Sequence, residues 1–387
     1  MNPKDYFHNP AFCTLPWIGI YVDPSGNIKN CAISGQNLGN IHDQQLTEIV
    51  HSKHNLNIKE TMLQAQCHPR CNACYSVDNN ASHPSLSESN RNWYKKISVN
   101  YVNLDFYDDP GNHSFKVLDL RWRNTCNQAC VYCSSDLSSR WASELGHKIH
   151  IADQALQDAK HEIFKNIDKV RHVYLAGGEP LLIKENEELL DLLLDRNPDV
   201  EIRVNTNLSN INGPVFKKLS RFANVKWTIS VDAVEERYEY IRWPGIWKDF
   251  LSNLRCLQDQ SQEINYNMVW CVLNHRSIFD CIDFLQENNG HENMFVVQCL
   301  TSPSSLSVMN LPPSELDALA DLISKRMEQC KSRDWWLHKS LVSMYNFVKN
   351  RPNVGLDLKD TFVFLEEIDQ RRHLSSQSVF PEIYKFK

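Results

Sequence analysis

From residue 117 onward, short runs of β-branched and apolar residues alternate with longer amphipathic segments. That alternation is the pattern of βα units around a parallel sheet. Six runs read as strands, at residues 117–121, 172–176, 201–205, 225–231, 264–272 and 294–300, and helical periodicity occupies 151–167, 184–195, 214–221, 247–258 and 276–287. Six units use too little chain for an eight-unit barrel. The pattern therefore predicts an α/β fold whose core is a partial, TIM-like (β/α)6 barrel.

The chain before residue 113 is patterned differently. Two strand-like runs, 17–22 and 28–31, flank Asp23-Pro24-Ser25-Gly26, whose Pro and Gly mark the tight turn of a hairpin. A helical stretch over 46–64 follows, then a polar loop over 78–92 that reads as a linker or a substrate-facing lid. A boundary is expected near 109–114, and beyond residue 303 helices are expected at 313–326 and 335–350. The predicted organisation is a small cysteine-rich α+β domain over 1–112, the barrel over 113–303 and a C-terminal helical extension over 304–387.

Composition narrows the function classes. With 387 residues, 42% of them hydrophobic, the chain can bury a sizeable core. Lys plus Arg number 41 against 47 Asp plus Glu, a formal net charge of -6, which disfavours a basic face for nucleic acid. No apolar run approaches the roughly 20 residues of a membrane span, and residues 1–10 lack a secretory apolar core. The expected location is cytoplasmic, without membrane association.

The 13 cysteines are too sparse for a disulfide scaffold. Cys256, Cys271, Cys281, Cys299 and Cys330 are scattered singly on apolar patterns and read as core thiols, whereas the other eight cluster in the first third like ligands. Cys126, Cys130 and Cys133 follow the first predicted barrel strand, where βα loops build the active face. Three sulfur donors leave one iron of a 4Fe-4S cube open to another ligand. A zinc site or a packing role are the alternatives on spacing alone. A second set, Cys13, Cys31, Cys71 and Cys74, could wrap zinc or a 4Fe-4S cluster, with Cys67 as an alternate ligand.

The CxxxCxxC run, together with Gly177-Gly178-Glu179-Pro180 at the end of the second barrel strand, resembles the radical S-adenosylmethionine (SAM) superfamily. The resemblance implies that Cys126, Cys130 and Cys133 hold a 4Fe-4S cluster whose fourth iron is chelated by SAM. It places Tyr132 near the cofactor and gives the Gly177–Pro180 bend the SAM amino group. Asn205, Asn207, Ser230 and Asp232, at later strand ends, fall near the family's positions for ribose and carboxylate, and Arg242 could pair with a carboxylate of cofactor or substrate. Read without the family, the polar strand-end residues could be helix caps, and Arg242 a surface residue packed on Trp243.

The N-terminal set resembles the SPASM or shorter twitch module, including Gly26 before Cys31 and the Leu38-Gly39-Asn40-Ile41 segment, although here it precedes the barrel. Five cysteines support one auxiliary cluster, ligated by Cys13, Cys31, Cys71 and Cys74. The implied activity is reductive cleavage of SAM to a 5′-deoxyadenosyl radical that abstracts hydrogen from a peptide, a protein or a small molecule. The auxiliary cluster would accept an electron, and a flavodoxin or ferredoxin would donate one. A noncatalytic iron-sulfur or zinc carrier is the competing class. No side chain stands out as a substrate base, and Trp93, Trp141 and Trp243 lie near loops that could meet substrate.

Overall fold

The computed structural model describes residues 6, 8–79, 90–147, 153–260, 263–289, 293–330, 334–350 and 358–387. Its strands are β1 (Gly19–Val22), β2 (Asn27–Lys29), β3 (Gly39–Asn40), β4 (Val117–Leu120), β5 (His172–Leu175), β6 (Glu201–Thr206), β7 (Val225–Ser230), β8 (Glu263–Trp270) and β9 (Phe295–Cys299). They form one sheet in the order β3-β2-β1-β4-β5-β6-β7-β8-β9. The six strands read from the barrel pattern are β4 to β9, all parallel, and the sheet stays open.

The N-terminal hairpin does not stand apart from this sheet. β1 pairs in parallel with β4, Gly19 opposite Val117 and Val22 opposite Leu120, so the hairpin extends the barrel sheet at its first edge. Backbone N–H groups of Ser114 and Lys116 donate to the carbonyls of Trp17 and Ile18, each at 2.9 Å. One hydrophobic cluster runs from Phe12 and Trp17 through Leu118 and Trp227 to Leu365, without a break at the expected boundary or at residue 304. Trp17, Trp122, Trp227 and Trp270 are fully buried in it. Burying a side chain of that size removes roughly 150–250 Å² from water, about 4–6 kcal/mol as an upper bound.

Alternation along the strands separates two faces. On one, residues such as Leu118, Val173, Ile202, Val204, Trp227 and Ile229 are buried. On the other, one register row runs Tyr21, Asp119, Tyr174, Arg203, Lys226, Glu263 across six neighbouring strands. That face of the barrel is polar.

Helices fall close to the periodicity, at Asp153–Phe164, Lys184–Arg196, Pro214–Leu219, Trp247–Gln258 and Ile278–Asn289. The stretch expected as one helix over 46–64 is two, Leu46–Val50 and Lys53–Leu63, because Ser52 leaves the helix and accepts from the Asn55 N–H at 3.4 Å as a new N-cap. Most of the polar loop expected over 78–92 lies outside the described residues, and its end begins a helix, Asn90–Ile97. Trp93 of that helix lies 5.5 Å from His172 and under the guanidinium of Arg203 at 4.4 Å, so the helix covers the polar face. Beyond the barrel, helices Pro313–Gln329 and Trp335–Lys349 are followed by Lys359–Arg372, Ser376–Val379 and Pro381–Tyr384. Of the five cysteines assigned to the core, Cys271, Cys281 and Cys299 are buried and Cys330 is half-buried, but Cys256 is exposed: it lies on the outer side of Trp247–Gln258, away from Leu254 and Leu257. Among the described residues no helix is long and apolar enough to cross a membrane.

Candidate functional site

After Leu120 the chain leaves the sheet as an irregular loop that carries Cys126, Cys130 and Cys133. Ser139, at the start of helix Ser139–Leu145, closes its first turn: the Cys126 N–H donates to Ser139 Oγ at 3.0 Å, and that hydroxyl donates back to the Cys126 carbonyl at 3.1 Å. Ser138, the N-cap of the same helix, donates to the Gln128 carbonyl at 2.6 Å. From the opposite side, Ala129 and Val131 donate their N–H groups to the carbonyls of Trp243 and Ile241 at 2.7 and 2.9 Å. These bonds fix a loop that has no regular structure of its own. Burial, followed by Cys130, pushes the Cys133 thiol up to about 12, and burial followed by Cys130 and Glu179 pushes Cys126 up as well.

The glycine bend after β5 is pressed onto this loop. Gly177 has φ +111, a conformation that L side chains rarely adopt. A Cβ on Gly178 would stand 2.2 Å from the Thr125 carbonyl oxygen, and the Glu179 N–H donates to that same oxygen at 2.7 Å. The two motifs are thus joined backbone to backbone, one residue before Cys126.

The Glu179 side chain is 1% exposed, and its carboxylate accepts from Thr206 Oγ1 at 2.6 Å, the Asn207 N–H at 2.7 Å and the Leu181 N–H at 3.1 Å. It ties the bend to the end of β6. Burial raises its carboxyl to about 7 despite those donors. Pro180 opens the short 3-10 turn Pro180–Leu182.

The rim residues are brought together by contacts with one another. Ser230 Oγ donates to Asn205 Oδ1 at 3.2 Å. Asn207 Nδ2 donates at 3.1 Å to Oδ1 of Asn127, a residue inside the cysteine loop that sequence reading passed over and that also accepts from Ser209 Oγ. Arg242 is not a surface residue: it is 5% exposed, ion-paired with Asp232 at 2.8 Å, and donates to Tyr132 Oη at 2.8 Å. Tyr132 in turn donates to Asp232 at 2.6 Å, and Arg242 Nη1 lies 3.8 Å from Cys130 Sγ. A buried guanidinium so paired fixes the middle of the cysteine loop.

The second set converges independently. Cys13, Cys31, Cys71 and Cys74 line one cavity together with Leu15, Ile33, Ser34, Asn90 and Arg91. Cys31 follows β2, Cys71 ends the turn Pro69–Cys71, and Cys74 sits in the first turn of helix Asn72–Asn79. The Gly35 N–H bonds the Arg70 carbonyl at 3.1 Å and holds these pieces together. Cys67 is exposed and does not line the cavity. Burial and the neighbouring thiols push Cys31 and Cys71 each up to about 12, and Cys13 well above the usual thiol range. Among the described residues no carboxylate or imidazole joins the four sulfurs in the lining, so the donor set fits an all-thiolate cluster whose metal charge would offset the ionised thiols. Among the described residues no group of three or more His, Cys, Asp or Glu side chains is arranged to hold one single metal ion.

Residues 122–285 match the radical SAM superfamily, and residues 13–75 match SPASM, an iron-sulfur cluster-binding domain. Similar curated proteins include the GTP 3′,8-cyclase of Sulfurimonas denitrificans, 21% identical over 215 residues, 55% of this chain and 64% of that protein. The GTP 3′,8-cyclase of Nautilia profundicola is 32% identical over 82 residues, 21% of this chain and 24% of that protein. Among solved structures, native anSMEcpe with bound AdoMet and Cp18Cys peptide is 17% identical with a TM-score of 0.39, over 53% of this chain and 58% of that one. Streptococcus suis SuiB bound to precursor peptide SuiA is 13% identical with a TM-score of 0.41, over 73% of this chain and 62% of that one. This chain spans less than two thirds of the length of each of these relatives.

Proposed function

We propose that this chain, which belongs to the radical SAM superfamily and carries a SPASM iron-sulfur domain ahead of its barrel, oxidises or modifies a peptide, a protein or a small molecule by hydrogen abstraction. The observation that carries the reading is the backbone junction of its two motifs, the Glu179 N–H on the Thr125 carbonyl at 2.7 Å. When bound, the cluster and SAM would supply reductive cleavage to methionine and a 5′-deoxyadenosyl radical, and a cluster on the second cysteine set would supply an electron acceptor.

The chain's own residues position and enclose. Cys126, Cys130 and Cys133 hold the first cluster, and Cys13, Cys31, Cys71 and Cys74 the second. Gly177 and Gly178 let backbone approach the cofactor closely, and Glu179 keeps that bend in register with the β6 end. Tyr132, Asp232 and Arg242 brace the cysteine loop from behind. Asn205, Asn207 and Ser230 present polar groups on the rim. A flavodoxin or ferredoxin delivers the electron. On this reading residues 1–112 carry the auxiliary site, 113–303 the SAM site and 304–387 a cover, all packed on one core.

The deciding experiment is reductive SAM cleavage by anaerobically reconstituted protein beside its Cys130→Ala variant. 5′-Deoxyadenosine is expected from the parent alone. Equal output from both, or none from a parent carrying its full iron, removes the enzymatic reading in favour of a carrier.

A further inference from the structure

We propose that Asn127, the residue after the first cysteine of the loop, binds SAM directly, donating a side-chain amide N–H to the carboxylate of the cofactor. The inference rests on the reading above and gives a ligand contact to a spacer position of the cysteine run.

The orientation of the Asn127 amide follows from its neighbours. A backbone N–H can only donate, and that of Ser209 donates to Asn207 Oδ1 at 2.9 Å, which fixes the buried Asn207 side chain with Nδ2 on its other branch. Asn207 Nδ2 then donates to Asn127 at 3.1 Å, so Asn127 presents its oxygen there, and Ser209 Oγ donates to the same oxygen at 3.1 Å. The β6 end thus takes up both acceptor positions of Asn127 Oδ1. The two N–H groups of Asn127 Nδ2 are left on the opposite branch of the amide, without a partner among the described residues, on an exposed side chain.

That place suits a cofactor acceptor. Asn127 directly follows Cys126, and Thr125 before them is bonded through its carbonyl to the Glu179 N–H at 2.7 Å. Glu179 in turn accepts from the Asn207 N–H at 2.7 Å. Cysteine loop, glycine bend and β6 end therefore meet at residues 125–127. An α-amino acid chelates a metal through its amine and one carboxylate oxygen, so SAM on the open iron would carry its carboxylate at the cysteine loop, with a second oxygen in need of donors. Arg242, the residue that the sequence offers for a carboxylate, is 5% exposed and committed to Asp232 and Tyr132. Asn205 accepts from the Ser230 hydroxyl. Asn127 has donors to give and an aim fixed by its neighbours.

The competing role is that of a staple, in which Asn127 serves the β6 end as an acceptor and nothing more. An aspartate would do that equally well, and the two roles differ on this point.

Equilibrium binding of SAM to the anaerobically reconstituted, oxidised full-length protein tests the proposal without turnover, with iron counted in every sample. Asn127→Ala should weaken SAM binding on the order of tenfold, the worth of a hydrogen bond to a charged acceptor. Asn127→Asp keeps the acceptor for Asn207 and Ser209 but sets a carboxylate against a carboxylate, so it should bind SAM no better than Asn127→Ala. A staple predicts that Asn127→Asp stays close to the parent while Asn127→Ala is the weaker. That result overturns the proposal, as does parent-like affinity in both variants. 5′-Methylthioadenosine, which keeps the nucleoside of SAM and lacks its amino-acid part, should bind parent and variants alike, and a matching loss there also overturns it. Should Asn127→Ala not load iron, Asn127→Asp decides alone: weaker SAM binding at full iron content supports the proposal and unchanged binding overturns it. Failure of both variants to load iron assigns Asn127 to the fold and overturns it too. A parent that carries its iron and binds no SAM removes the reading on which the proposal rests.

Discussion

Two residues in the glycine bend set the tightest demands on the site. Gly178 faces a carbonyl oxygen at a distance where no Cβ fits, and the oxygen belongs to backbone that is itself bonded to Glu179. The loop can yield only by breaking that bond, so Gly178→Ala should cost about 3 kcal/mol or more and should separate the bend from Cys126. Chemical denaturation reads the first effect and equilibrium binding of SAM the second; a variant that matches the parent in both would show that the junction is dispensable. Glu179 adds a pH dependence. Its carboxyl, at 4.5 in the unfolded chain and about 7 when buried, holds a proton in the fold where the open chain has lost it. Stability from this group is therefore full below about 4.5 and falls as pH rises towards 7, by about 3 kcal/mol in all. Denaturant midpoints of the iron-free protein across that window should fall more in the parent than in Glu179→Gln, and parallel slopes would contradict the assignment.

At the scale of elements, legibility follows the kind of signal each carries. Strands β4 to β9 are apolar runs with clear ends, and their placement depends on local pattern alone; helix Trp247–Gln258 has the bounds its periodicity predicts because Phe250, Leu254 and Leu257 mark one buried face. Helix Asn90–Ile97 reads in sequence as the end of a polar loop, since Asn90, Arg91, Asn92, Lys95 and Lys96 conceal an anchor that needs a partner to be recognised. That partner is Arg203 of β6, stacked on Trp93. The parallel pairing of β1 with β4 is of the same type. Hairpin composition announces the turn at Asp23–Gly26, but nothing local says which sheet edge the hairpin will join. Site residues divide likewise. Cysteine spacing and the Gly-Gly-Glu-Pro run are local and can be read directly; the role of Asn127 exists only through contacts made across the fold.

For the whole molecule, the consequence of the hairpin docking is that two thiol sites hang on adjacent strands of one sheet. Cys13 precedes β1 and Cys31 follows β2, and the loop of Cys126, Cys130 and Cys133 leaves β4, the strand next to β1. Arg121 lies 4.9 Å above the Tyr21 ring, and its Cβ stands 2.9 Å from where a Cβ of Gly177 would be, so packed side chains connect β1 to the glycine bend. Such an arrangement suits sites that work on one substrate while remaining separable by mutation, because each has its own ligands. The parent should carry about eight irons with matching sulfide. Cys74→Ala should lower this to about four, keep 5′-deoxyadenosine formation and abolish substrate oxidation, whereas Cys126→Ala should lose the other half of the iron together with SAM cleavage. Because Cys13 belongs to the same continuous core as the barrel and Cys31 and Cys71 pack against that core, Cys74→Ala should also lower the melting temperature of the whole chain instead of releasing an independent N-terminal unit. Two separate melting transitions would refute the shared core, and about four irons plus one zinc in the parent would reduce the N-terminal site to a structural staple.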